Sequence, residues 1–423
     1  MPADVIGYLF CAWHFSAGST FTLIMSELGS NEKRRMEMRF FLVYVALFTP
    51  YAVLTPYLQQ LLHLYGFEHD AIGYIQGAVE LMGVLAPPVW GLLSDRLRTP
   101  RLVLCTTILL CIPAILLLKP GQSLAVALGI ALLIGFFNKP SISLTDGLTF
   151  GHFRRNGCDY GHVRIGGTIG FVISLVLFER VLNISGDTTG RLIVSTLIGA
   201  LLFQAALVWV VPRLPKDTDS TSAKTQKEAL PWRRLMTPTF LWLIVAAFLA
   251  RFAMMSYYSF FTRFLKEVYH CENVGYVWLM GSMAEFPVVF WSRQIMVRIG
   301  VKRMFILAMV GTVLRLLGFA CESTLWVTMS MQLLHALTFG AYHCSTLTYV
   351  SRAFPAKFQG SVQTIYAALT VGLGSVCGSS VAGLVLQHSS YFVMYLSFGC
   401  VALVALVISL FLDLDGKNQN ISP

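Results

Sequence analysis

PRLPKDTDSTSAKTQKEALPWRRLMTP, residues 212–238, is the one long polar stretch in an otherwise apolar chain of 423 residues. Prolines bound it and charges of both signs run through it without apolar periodicity, so it reads as a flexible linker. What it separates decides the fold. Runs of about 20 apolar residues, long enough to cross a bilayer as self-satisfied helices, fall near 39–62, 71–93, 101–118, 123–150, 161–182 and 191–211 before it. Six more follow near 239–265, 273–292, 302–320, 325–351, 359–387 and 391–412. The expectation is an all-α membrane protein of twelve transmembrane helices in two pseudo-symmetric six-helix bundles, 36–211 and 239–423. Residues 1–35 are expected to be an extension of uncertain structure. Their segment Val5–Leu28 is moderately apolar but carries His14, Ser16, Ser19, Thr20 and Thr22, and it lacks the basic start and small-residue cleavage site of a signal peptide.

Composition excludes several classes. Hydrophobic residues make up 56% of the chain and charged ones only 12%, against roughly 25% charged in a soluble domain, so the chain belongs in lipid. The net charge of +10 is scattered through short loops and forms no stripe for nucleic acid. Nine cysteines without CxxC spacing read as small buried hydrophobes, not disulfides or metal ligands. No phosphate-binding G-x-x-x-x-G-K-[ST] occurs, and neither H-E-x-x-H nor G-x-S-x-G is present, which argues against an ATP-driven pump and a membrane-embedded enzyme. No cofactor is expected.

Loop charges give direction. If the first span starts in the cytoplasm, 23 basic residues fall in inner loops and only five (Lys119, Arg180, Arg191, Arg263 and Lys266) outside. By the positive-inside rule both ends of the bundle are cytoplasmic. Three of the 31 basic residues, Lys139, Arg251 and Arg315, are left inside the membrane.

The halves repeat. Gly73-Tyr74 entering span 2 matches Gly275-Tyr276 entering span 8. Leu132-Leu133 in span 4 matches Leu333-Leu334 in span 10, and Gly161-x-Val163 matches Gly360-x-Val362 at the start of spans 5 and 11. A constant offset near 200 residues implies parallel repeats about an axis along the membrane normal, with a ligand site near midplane where they meet.

GLLSDRLRTPR (91–101), between spans 2 and 3, resembles the G-x-x-x-D-R-x-G-R-[RK] signature of the major facilitator superfamily, with Gly91, Asp95 and Arg96 in register and Arg98 standing where glycine is expected. RIGVKR (298–303), after span 8, looks like its degraded copy. SLTD (143–146) with DYGHVRIGGTIGF (159–171), the segment from Gly275-Tyr276 to Glu285, and HALTFGAYH (335–343) resemble the phenylpropionate-permease branch, which is related to lactose-permease-type proton symporters. The resemblance implies a secondary transporter moving a small solute such as a sugar, nucleoside or aromatic acid by alternating access. Uptake by proton symport leads, and export or uniport remains open. A monomer in a bacterial inner membrane is expected, with the solute, protons and lipid as its partners.

Ionisable residues inside apolar spans cost at least ~2.5–3.5 kcal/mol on insertion scales and face protein or wet cavities. Glu285, Arg315 and His335 lie roughly half-way through spans 8, 9 and 10 and can share one depth. Carboxylate, guanidinium and imidazole together suit proton coupling. The resemblance assigns proton- and sugar-linked roles to these three types on these helices, but no glutamate follows His335 one turn on. Glu285 is therefore the first choice as proton carrier, and His343, two turns after His335, can join the same face. Alternatively the network only fixes helix packing. Asp146 and Arg164, near one end of spans 4 and 5, can meet either as a substrate or gate pair or as a helix lock. Arg251 can bind an anionic substrate group or pair with Glu285. Glu80, Lys139 and Asn138 are further candidates for binding substrate, and Gln76 and the run Tyr257, Tyr258, Phe260, Phe261 could line a cavity or pack.

Overall fold

The computed structural model describes residues 31–156, 158, 160–212 and 235–415. Most of the expected extension and of the linker therefore lies outside the described residues. All twelve expected spans are helical. Ten are long and apolar enough to cross a membrane as they stand, and Val274–Phe290 with Ser292–Ile299, bent by 61°, gives the eleventh. Span 10 is the twelfth and is not one rod. It runs as Leu325–Gln332, a π-helical segment Ala336–Ala341 and Tyr342–Ala353.

Local chemistry sets the ends and breaks. Pro100 and Pro238 open spans 3 and 7 at the first helical position, where a missing N–H costs nothing. The Ser390 and Thr324 side chains accept from Val393 and Val327 N–H at the starts of spans 12 and 10. Span 1 starts at Asn31, earlier than expected, and breaks between Phe48 and Tyr51, where Pro50 has no N–H to give. Residues 31–35 thus belong to the first helix and not to an extension. Pro140 divides span 4 into Leu124–Asn138 and Pro140–Asn156 in the same way.

Arg98 shows why the signature expects glycine: it caps span 2 with φ +52°. That left-handed conformation costs roughly 1–2 kcal/mol for a residue with a Cβ. The matching position after span 8 holds Gly300, with φ +89°.

Contact between the halves is concentrated at one end, the charge-poor end where spans 1 and 2 join. Spans 2 and 11 meet there, as do spans 5 and 8. Gly73 lies against the backbone of Ser379 and Gly383, and a Cβ on it would stand 3.1 Å from Gly383 Cα. Gly275 lies against Tyr57 and Glu179. The repeated Gly-Tyr pairs thus lie at two close approaches of the bundles.

Hydrogen bonds follow the same division. Gln59 Nε2 donates to Tyr258 O, Gln76 Nε2 to Ser259 O, His69 N to Gln387 Oε1, Arg263 N to Gln59 Oε1 and Gly275 N to Glu179 Oε1. All lie in the charge-poor half of the molecule. Toward the basic end Glu80, Lys139 and Glu285 keep about a fifth of their side-chain surface accessible and His343 is exposed, and we call the space they border the crevice.

Candidate functional site

Arg315 is the largest fully buried side chain. Span 9 delivers it into a socket built by spans 7 and 10. Its Nη1 lies 2.9 Å from His335 Nδ1 and donates to Thr338 Oγ1 at 2.9 Å, while Nη2 donates to Gln332 Oε1. The guanidinium stands 3.9 Å over the Tyr257 ring. Hydrogen bonds to a charged group contribute about 1.5–3 kcal/mol each, and a desolvated cation–π contact about 2. A buried cation without a carboxylate in contact is held this way.

The socket fixes the neighbouring imidazole. A guanidinium only donates, so His335 Nδ1 accepts and the neutral ring carries its proton on Nε2. That Nε2 faces Glu285 Oε2 at 3.9 Å. The distance is longer than a hydrogen bond, and the Glu285 side chain keeps 20% exposure. Arg315, His335 and Glu285 therefore form one line from the sealed interior to the crevice, as their expected common depth requires.

The π-helical turn after His335 stacks three rings along span 10. Phe339 lies between His335 (5.8 Å, 17°) and His343 (5.9 Å, 10°). The two histidines thus share a face, as their spacing suggests, with His343 exposed. Such π-turns are frequent at functional sites.

In the first bundle Glu80 and Lys139 make an ion pair at 2.5 Å, each keeping about a fifth of its surface exposed. The neighbouring Asn138 is buried, and its carbonyl accepts from Ser141 Oγ. Arg251, from the other bundle, acts on Glu80 electrostatically. Its Nε donates to Ser375 Oγ at 2.7 Å and its guanidinium lies 4.9 Å over Tyr258. The expected alternative of an Arg251–Glu285 pair is not formed.

Asp146 and Arg164 do not form an ion pair either. Asp146 accepts from the Tyr44 and Tyr160 hydroxyls, while Arg164 stacks on Phe48 at 4.6 Å and on Tyr44 at 5.7 Å. Tyr44 keeps the two side chains as neighbours, and the two tyrosine hydroxyls satisfy the carboxylate without the cation. Arg164 is thereby left without a carboxylate in contact among the described residues.

Other expectations separate. Gln76 serves the seal. Phe260 and Phe261 are core; of the aromatic run Tyr257 floors the Arg315 socket and Tyr258 lies under Arg251. Gly91, Asp95 and Arg96 sit at the basic end with both charged side chains exposed, far from the midplane cluster. Tyr44, Tyr160, Gln332 and Thr338 were not singled out by sequence reasoning. Their only signal was polarity inside an apolar span. Among the described residues no His, Cys, Asp and Glu group could hold a metal ion.

Two six-helix bundles with mid-membrane charges facing one another across a crevice define a transporter of the major facilitator type. The MFS_1 like family model matches residues 35–397, and the chain belongs to that family. It is similar to the maltose permease of Geobacillus stearothermophilus, with 25% identity over 88% of this chain and 92% of that one. It is also similar to the probable 3-phenylpropionic acid transporter of Escherichia coli (strain K12), with 27% identity over 86% and 93% of the two chains. Among solved structures, the nucleoside transporter NupG superposes with a TM-score of 0.70 at 16% identity, covering 90% of this chain and 98% of that one.

Proposed function

We propose that the protein is a proton-coupled symporter that imports a small organic solute by alternating access, with Glu285 as the group that takes up and releases the coupling proton. The single observation behind this reading is the Arg315–His335–Glu285 line. Arg315 occupies His335 Nδ1, and a proton added there would point at the guanidinium, so the imidazole stays neutral and serves as a donor. Glu285 has no fixed cation in contact among the described residues and keeps access to the crevice, so it is the member of the line free to change charge.

Arg164 lies on the opposite bundle, within electrostatic reach of Glu285 and His343. It is the natural contact for a solute that bridges the halves, and Asp146, Arg251 and Tyr258 supply further polar and aromatic surface. Relatives named for maltose and 3-phenylpropionic acid support a solute of that size, a sugar, nucleoside or aromatic acid. With the basic end assigned to the cytoplasm, the cross-bundle bonds at the opposite end support an inward-open state. Gly91, Asp95 and Arg96, exposed in this state, are assigned to stabilising the opposite state, in which the basic end closes.

Uptake of maltose, uridine and 3-phenylpropionate into proteoliposomes under an inside-alkaline pH gradient tests this. Accumulation above the external concentration, lost on adding a protonophore, is expected for one of these classes. Saturable uptake of any of them that ignores the gradient would refute the coupling.

A further inference from the structure

Glu179 lies at the charge-poor end of span 5, only 3% exposed, and takes no part in the midplane cluster. Three donors from three segments converge on its Oε1: Tyr57 Oη of span 1 at 2.5 Å, Ser185 Oγ of the span 5–6 loop at 2.5 Å, and the backbone N–H of Gly275, entering span 8, at 2.6 Å. Ser185 Oγ also receives Val274 N–H at 3.2 Å, and Lys266 of span 7 donates to the Ser185 carbonyl. One carboxylate oxygen thus ties the first bundle to the start of span 8 in the second. Its other oxygen, Oε2, is buried without a hydrogen-bond partner in this structure.

The approach requires glycine at 275. A Cβ there would stand 2.5 Å from Glu179 Oε1 and 2.6 Å from its Cγ, closer than any real contact. The repeat supplies a comparison, because Gly73, the matching glycine, meets only small residues of span 11. The 2–11 contact is a small-residue slide. Across the 5–8 contact the bond is to a carboxylate, whereas across the 2–11 contact His69 N–H donates to the Gln387 amide.

We propose that Glu179 is a positioning residue for transport, the latch that holds the charge-poor end shut. When the bundles rock apart at that end, Gly275 N–H and Val274 N–H must leave Glu179 and Ser185, while Tyr57 and Ser185 remain on the first-bundle side to keep Oε1 bonded as water reaches Oε2. The latch therefore opens by losing cross-bundle bonds to backbone N–H groups, and it sets how often that end opens without taking part in recognition of the solute or the proton at midplane. The inference rests on the alternating-access reading above.

The test places a reporter on the other contact. Ser379 is fully buried against Gly73 and Gly77, so in Ser379→Cys the thiol meets N-ethylmaleimide only when the charge-poor end opens. Alkylation is read per peptide by mass spectrometry on the full chain in membranes, with exposed Cys321 as the positive control and buried Cys111 as the negative control. In that background Glu179→Ala and Glu179→Gln are expected to raise the labelling rate of residue 379 about tenfold or more. Tyr57→Phe, which removes one donor and keeps the carboxylate, should raise it two- to threefold. Labelling that proceeds at one rate in all four proteins would overturn the latch and leave the rocking motion standing. If residue 379 stays unlabelled in every variant while Cys321 reacts and uptake continues, the separation of the bundles at that end is itself refuted. If Glu179→Ala does not fold, Glu179→Gln and Tyr57→Phe carry the same comparison.

Discussion

The two bundles each place a glutamate in the crevice, and they treat it in opposite ways. Glu80 is held 2.5 Å from Lys139, a basic partner on a helix of its own bundle. Glu285 faces His335 at 3.9 Å, and the cation beyond that ring is spent on Nδ1, Gln332 and Thr338. A carboxylate in direct contact with a basic side chain is favoured in its charged form. A carboxylate facing a neutral imidazole can gain and lose a proton as its surroundings change from wet to dry. One glutamate therefore reads as architecture and the other as the moving part, although both looked alike as acids inside apolar spans.

Breaking the second bundle's line is expected to have the largest effect. Arg315→Ala leaves the acceptors on Gln332, His335 and Thr338 unpaired in a sealed interior, at a cost of about 2–4 kcal/mol, and frees Nδ1. A marked fall in Tm in detergent, together with loss of gradient-driven uptake, is expected. A variant that melts like the wild type would show that the socket does not hold His335.

The first bundle should respond as an ion pair. Glu80→Gln or Lys139→Gln alone strands a largely buried charge and is expected to cut uptake at least tenfold. Glu80→Gln combined with Lys139→Gln removes both charges and should recover most of the loss while keeping accumulation on the pH gradient. If accumulation vanished in the double variant with exchange intact, Glu80 would be a proton carrier and the contrast between the bundles would be gone.

Milder changes sharpen the same comparison. His343→Asn keeps a polar group at the crevice wall and disturbs only the end of the ring stack, so a two- to fivefold rise in KM with coupling retained is expected from initial-rate uptake. A loss of gradient dependence would instead extend the proton path to His343. Smallest of all, Arg98→Gly relieves the left-handed cap of span 2 and should raise stability by up to about 1 kcal/mol. The equivalent loop of the second bundle already has Gly300, so Gly300→Ala should lower stability by a similar amount.

How much of this was legible in the sequence divides along sequence distance and partner type. Helices are local, so apolar run length alone marked all twelve spans, and the shared depth of Glu285, Arg315 and His335 followed from counting residues along them. The repeat pointed to Gly73 and Gly275 without saying what they touch. What stayed hidden were partners set by tertiary approach. Asp146 is satisfied by Tyr44, 102 residues away, so pairing it with Arg164 by proximity failed. Arg251 turned to Ser375 and Tyr258 because spans 7 and 11 pack together, which no count along one helix reveals. Span 10 looked continuous because a π-turn leaves composition unchanged. Glu179 drew no notice because an acid beside Arg180 near a helix end looks like ordinary interfacial polarity until three donors from other segments are seen to converge on it.

Among the crevice acids, Glu285 alone is assigned to change charge during transport. Purified Glu285→Gln in proteoliposomes, with a pH-sensitive dye inside, puts that assignment at risk by following solute and proton entry together. With the solute identified by uptake, wild type should acidify the lumen as solute enters. Glu285→Gln should exchange labelled for unlabelled solute at a rate within about tenfold of wild type while moving no protons and building no gradient. Proton entry stoichiometric with solute in that variant would contradict the assignment.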